Sequence, residues 1–132
     1  MIQVENLTKK YGDHVAVNNA SFVVEKGEIL GFLGPNGAGK STVMNIITGY
    51  ISATEGSVKV DGYDILDDPE EVKSRIGYLP ELPPLYGDMT VLEYLDFVSE
   101  IKGMDKEDRT EDIERAMNLV RIDNVKERLI RN

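Results

Sequence analysis

The run Gly34-Pro35-Asn36-Gly37-Ala38-Gly39-Lys40-Ser41-Thr42 constrains this chain more than any other segment. It fits the pattern G-x-x-x-x-G-K-[ST] without a gap. An apolar stretch, Ile29 to Leu33, leads into it, and a helix-compatible stretch, Thr42 to Thr48, follows it. A buried strand, a glycine-rich turn and a helix start are the parts of a phosphate cradle. The first N–H groups of a helix have no partner within the helix. A loop that turns them inward makes a concave anion site. Gly34, Gly37 and Gly39 lack a Cβ, so the backbone can take positive φ and come close to phosphate oxygens. The helix dipole adds partial positive charge, and Lys40 adds a full one that can reach the outer phosphates. Ser41 offers a hydroxyl to Mg²⁺, which takes few protein ligands beside phosphates and water. The loop therefore predicts binding of a nucleoside triphosphate.

The 132 residues suffice for a modest domain with a core of its own. No apolar run approaches the ~20 residues that span a membrane. The start, Met1-Ile2-Gln3-Val4-Glu5, has neither the basic region nor the apolar segment of a signal peptide. The absence of cysteine removes disulfides and thiolate zinc sites. Together these features favour a cytoplasmic protein. The net charge of −9 argues against nucleic acid as a general partner, since such binding draws on lysine and arginine. The single histidine, His14, reads as a solvated residue rather than a metal ligand.

Ile2 and Val4, with Leu7 beyond them, alternate with Gln3 and Glu5 as in a half-buried strand. A turn at Tyr11-Gly12-Asp13 precedes a second β-rich run, Val15 to Val24, in which Asn18-Asn19 marks a bend or bulge. Gly49 reads as a helix stop, Ser57 to Val60 as a strand ending at an Asp61-Gly62 turn, and Pro69 as the first turn of a helix over Glu70 to Ser74. Ile76 to Leu79 reads as a short strand before a stiff stretch holding Pro80, Pro83 and Pro84. After Asp88 the character becomes helical. Thr90-Val91-Leu92-Glu93 is a capping box, Val91, Leu95, Val98 and Ile101 follow helical spacing, and Gly103 ends the helix. A second helix is expected from Lys106 to Val120, with Ile113, Ala116, Met117 and Val120 on its core face. Asp123 is expected to cap a last short helix carrying Val125 and Leu129.

Four segments in this order resemble the ATP-binding subunit of ABC transporters. They are Leu7-Thr8-Lys9-Lys10-Tyr11-Gly12, Val15 to Phe22, the phosphate loop with Leu33 before it, and Ile76-Gly77-Tyr78-Leu79-Pro80-Glu81 followed by Leu85-Tyr86 and Thr90 to Glu93. The resemblance covers essentially the whole chain. It implies an α/β fold, a P-loop NTPase of the ABC ATPase type. That fold comprises an antiparallel β subdomain with a partial P-loop core over residues 1–87 and the start of a helical subdomain over 88–132, its core sheet incomplete. It implies ATP and Mg²⁺ as ligands. Tyr11 would stack on adenine, unless it is a turn tyrosine packed on the β unit, and Val17 would lie against base or ribose, unless it is plain strand core. Asn36, Gly37, Ala38, Gly39, Lys40, Ser41 and Thr42 would wrap the phosphates, with Ser41 on Mg²⁺. Position 81 departs from the family, which usually carries glutamine there. Glu81 would still bind Mg²⁺, as a carboxylate, or be a solvated acid of a proline-rich loop.

The resemblance further implies that the family's signature segment begins at about Asn132, and that the Walker B aspartate, catalytic glutamate and switch histidine lie beyond it. The 132 residues would then hold no catalytic residue, and negligible hydrolysis is expected of them alone. Ile29 to Leu33 would keep an open strand edge and uncovered apolar faces, from which either self-association, with or without swapped elements, or only marginal stability is expected. In the full protein the resemblance implies a dimer of ATPase subunits, peripheral at the inner face of the cell membrane, acting on a separate membrane-spanning partner faced by Tyr78 to Tyr86 and the helix that follows. Two alternatives stand beside it: a soluble ATPase of the same class in translation or DNA repair, and a module that senses nucleotide without hydrolysis.

Overall fold

A computed structural model describes residues 1–131; Asn132, and with it the expected start of the signature segment, lies outside the described residues. The chain forms two compact units, Met1–Tyr78 and the residues from Leu79 onward.

The first unit is built on an antiparallel sheet of β1 (Ile2–Tyr11), β2 (His14–Val24), β3 (Glu55–Val60) and β4 (Tyr63–Asp64), in the order β2-β1-β3-β4. Its register is not simple. Val4 pairs with Phe22 and Leu7 with Ala20, so β1 holds one extra residue between them. The same excess appears against β3, where Glu5 pairs with Ser57 and Thr8 with Glu55. The extra residue centres on Asn6, which has φ 50°. This bulge turns both Val4 and Leu7 inward, three positions apart, where strict alternation would put them on opposite faces. β2 compensates with an extra residue at Asn19, also at φ 50°. Both bulges are capped by hydroxyls: Ser21 Oγ accepts the Asn6 N–H at 2.8 Å, and Thr8 Oγ1 accepts the Asn19 N–H at 3.0 Å. The β3–β4 turn places Asp61 and Gly62 at φ 48° and 89°, the two positive values of a tight hairpin.

Helix α1 (Lys40–Ile47) lays Val43, Ile46 and Ile47 on this sheet, and they join Val4, Leu7, Val17, Val58, Val60, Ile65 and Val72 in one core. Gly49, at φ 71°, follows the helix as expected, and α2 (Pro69–Ser74) adds Val72. Two expected strands are corrected. Neither Ile29 to Leu33 nor Ile76 to Leu79 belongs to a strand of the described residues. A strand exists only as a hydrogen-bonded pair, and the sheet's four members leave these runs without one. Ile29 and Leu33 are accordingly 97% and 93% exposed.

The second unit holds α3 (Val91–Ile101), α4 (Lys106–Val120) and a 3₁₀ turn at Asp123–Val125. The Thr90–Glu93 capping box forms as read, and Gly103, at φ 70°, stands just past the α3 C-cap. Ile113 and Met117 are buried, whereas Ala116 and Val120, expected on the same face, are exposed. Asp123 opens only a 3₁₀ turn, and Leu129 makes a bridge with Thr90. Arg109 Nε donates to the Met104 carbonyl at 3.1 Å and its guanidinium stands 3.8 Å from Asp96 and Glu100, linking α4 to α3. The composition change at Asp88 placed the boundary at 87/88, yet the units divide between Tyr78 and Leu79. Residues before Asp88 are tied to the helices. The Tyr86 ring meets Tyr94 and Phe97, Tyr94 Oη donates to the Pro84 carbonyl, and the Arg131 N–H donates to Gly87.

Candidate functional site: a phosphate loop

The loop turns into α1 through a short reverse turn, in which the Ala38 N–H donates to the Pro35 carbonyl at 3.2 Å. Gly37 and Gly39 both take positive φ, 82° and 84°. They are not equivalent. A Cβ on Gly37 would meet nothing within 4 Å, but one on Gly39 would stand 2.3 Å from the Ala16 carbonyl oxygen and 3.0 Å from Val17 Cγ2. Gly39 is thus pressed against the backbone of β2, and that contact fixes where α1 begins.

The first α1 bond runs from the Val43 N–H to the Gly39 carbonyl at 2.9 Å. The N–H groups of Lys40, Ser41 and Thr42 precede it, and no side chain caps the helix start. Three donors at the positive end of a helix dipole therefore lie at the loop. Lys40 curls over it, its Nζ 2.6 Å from the Gly34 carbonyl and 2.7 Å from that of Pro35. The ammonium is held at the mouth by neutral acceptors, which a phosphate oxygen, being charged, would outcompete. Asn36 to Ala38 and Ser41 are exposed, so the cradle opens outward. Backbone donors, a captive lysine and a first-turn hydroxyl form a set that fits a triphosphate carrying a divalent cation.

The other expected site residues are placed differently. Val17 is only 7% exposed and belongs to the core, supporting Gly39 from below. Tyr11, at the end of β1, is 51% exposed, and its ring lies under the Lys9 ammonium, 5.2 Å from ring centre to Nζ. Ser41 lies in the first unit with the loop, while Glu81 is exposed and belongs to the second. His14 is exposed at the start of β2. The sequence did not point to four features beside these residues: the Ala16 carbonyl under Gly39, the Gly34 and Pro35 carbonyls on Lys40, and Lys9 over the Tyr11 ring. Carbonyls leave no mark in residue identity. Lys9 did leave one, because it stands two residues from Tyr11 on one strand.

Comparison with known proteins supports the same reading. The ABC transporter family pattern matches residues 17–132. An uncharacterized ABC transporter ATP-binding protein of Methanocaldococcus jannaschii is 42% identical over 125 residues, 95% of this chain and 43% of that protein. A probable multidrug ABC transporter ATP-binding protein of Escherichia coli is 38% identical over 115 residues, 87% of this chain and 20% of its own length. The chain thus spans less than half the length of these relatives. Among solved structures, an ATP-binding subunit of an ABC transporter superposes with TM-score 0.84 at 27% identity, over 97% of this chain and 53% of that one. A dimeric ATP-binding cassette in a post-hydrolysis state with ADP and Pi gives TM-score 0.80 at 27% identity, over 98% of this chain and 61% of that one. With a matching loop, a matching fold and relatives of 38–42% identity, this chain belongs to the ABC transporter ATP-binding family.

Proposed function

We propose that this chain provides the ATP-binding portion of a subunit that powers transport through a separate membrane-spanning partner. The observation that carries this reading is the loop itself: Lys40 held on the Gly34 and Pro35 carbonyls, a helix start that no side chain caps, and Gly39 seated on β2. Asn36 to Thr42 hold the triphosphate, Tyr11 takes the adenine on its exposed ring, and Val17 acts through Gly39. Ser41 binds Mg²⁺ with phosphate oxygens. Glu81 carries an exposed carboxylate, a group suited to a divalent cation, where the family usually has an amide. Mg²⁺ supplies charge neutralisation of the outer phosphates when bound.

Hydrolysis belongs to the full-length subunit, acting as a dimer, and the 132 residues supply nucleotide binding. No helix of the described residues is long and apolar enough to cross a membrane. The subunit works at the cytoplasmic face of its membrane through its partner. Alone, the chain self-associates through its open apolar run. Calorimetric titration with Mg-ATP tests the reading. Binding that Lys40→Ala abolishes is the expected result. A chain that folds and binds no nucleotide would refute it.

A further inference from the structure

Lys9 and Tyr11 stand two residues apart on β1, a spacing that puts both side chains on one face of a strand. Lys10, between them, goes the other way and pairs with Glu55 at 3.0 Å. Lys9 is in none of the ion pairs of the described residues. Its Nζ donates to the Ser52 carbonyl at 2.7 Å and stands over the Tyr11 ring, 5.2 Å from the ring centre. The second distance lies inside the range in which a cation and a ring face attract. The Ser52 carbonyl is itself placed by the phosphate helix. The segment leaving α1 is held by the Tyr50 and Ile51 N–H groups on the Asn45 carbonyl, at 2.8 and 3.2 Å, and returns to the sheet through the Thr54 N–H on Thr8 at 2.8 Å. A chain of contacts therefore runs from the helix that starts at the phosphates to the aromatic ring at the end of β1.

We infer that Lys9 is a positioning residue for the base end of the site: anchored on Ser52, it covers one face of the Tyr11 ring and leaves the opposite face to receive the purine. The inference rests on the reading of Tyr11 as the base-stacking residue. Two effects follow from one contact. The ammonium restricts rotation of an otherwise half-exposed ring, so less freedom is lost when the base stacks. It also draws π density toward itself, which makes the far face less negative and a better stacking surface for an electron-rich purine.

The test compares Mg-ATP with Mg-tripolyphosphate, which has the phosphates and no base, by calorimetry on the wild-type chain, Lys9→Met, Lys9→Arg, Tyr11→Ala and the Lys9→Met/Tyr11→Ala double variant. Lys9→Gln replaces Lys9→Met if the latter lowers the urea midpoint. Lys9→Met is expected to weaken ATP about three-fold and leave tripolyphosphate unchanged. Lys9→Arg restores ATP affinity, and Lys9→Met has no effect in the Tyr11→Ala background. Equal weakening of both ligands would mark a general charge effect and overturn the proposal. So would an undiminished loss in the Tyr11→Ala background, or no loss from Lys9→Met while Tyr11→Ala weakens ATP alone. If Tyr11→Ala leaves ATP binding intact, the stacking reading itself falls, and the role of Lys9 falls with it.

Discussion

Two glycines of one loop separate two reasons for lacking a side chain. Gly37 and Gly39 share a left-handed backbone, φ 82° and 84°. An alanine in that region costs on the order of 1–2 kcal/mol. For Gly37 the cost ends there, because a Cβ would reach open space. For Gly39 it would collide with the Ala16 carbonyl at 2.3 Å, and a carbonyl fixed in a strand cannot swing aside as a long side chain can. Gly39→Ala is therefore expected to cost about 3 kcal/mol or more and to abolish Mg-ATP binding, since α1 must move to relieve the overlap. Gly37→Ala is expected to cost about 1 kcal/mol and to bind more weakly. Urea unfolding and calorimetry of the two variants decide it; equal losses would show that Gly39 is not wedged on β2. The motif announced both glycines. It could not rank them, because the obstacle is a carbonyl more than twenty residues away in sequence.

Elements whose signals are local were legible, and those that depend on a distant partner were not. The α3 cap is the clearest local case. Thr90 Oγ1 accepts the Glu93 N–H at 3.2 Å, and the Glu93 carboxylate accepts the Thr90 N–H at 2.7 Å. That backbone hydrogen bond, with a further one from the Thr90 hydroxyl, holds the Glu93 carboxyl below its usual range. A lowered folded value means that the stabilisation is present above the ordinary glutamate value of about 4.3 and is lost as pH falls through the folded one. The urea-midpoint difference between wild type and Glu93→Gln should thus be largest near neutrality and shrink below about pH 4. A difference that stays constant with pH would remove charge from the account. Thr90→Ala should cost about 1 kcal/mol at neutral pH. The Asp61-Gly62 turn was equally local, and Asn18-Asn19 pointed to the bulge found at Asn19. The Asn6 bulge was hidden, although Leu7 falling out of phase with Ile2 and Val4 was its trace. The face of α4 was half legible: Ile113 and Met117 are buried, while Ala116 and Val120 show that helical spacing marks a stripe without saying how far its cover extends.

For the whole molecule, two opposed terms govern whether copies of this chain associate. Ile29, Leu30, Phe32 and Leu33 are 97%, 45%, 39% and 93% exposed, in a run that no strand of the sheet accompanies. Removing such surface from water contributes roughly 25 cal/mol per Å². Against this stands the net charge of −9, which repels every approaching copy alike. The apolar term hardly changes with moderate salt, whereas repulsion between exposed charges is screened within about 10 Å at 0.1 M. Association should therefore strengthen as salt is raised. In light scattering the mass should exceed 14.7 kDa at physiological ionic strength and fall toward it when salt is removed. The double substitution Ile29→Lys/Leu33→Lys should give a monomer at every salt concentration and leave the core formed by α1 and the four-stranded sheet intact, because neither residue belongs to that core. Association that weakens with salt would assign the contact to ion pairs instead, and a monomer at all concentrations and salts would show that the run finds cover within its own chain.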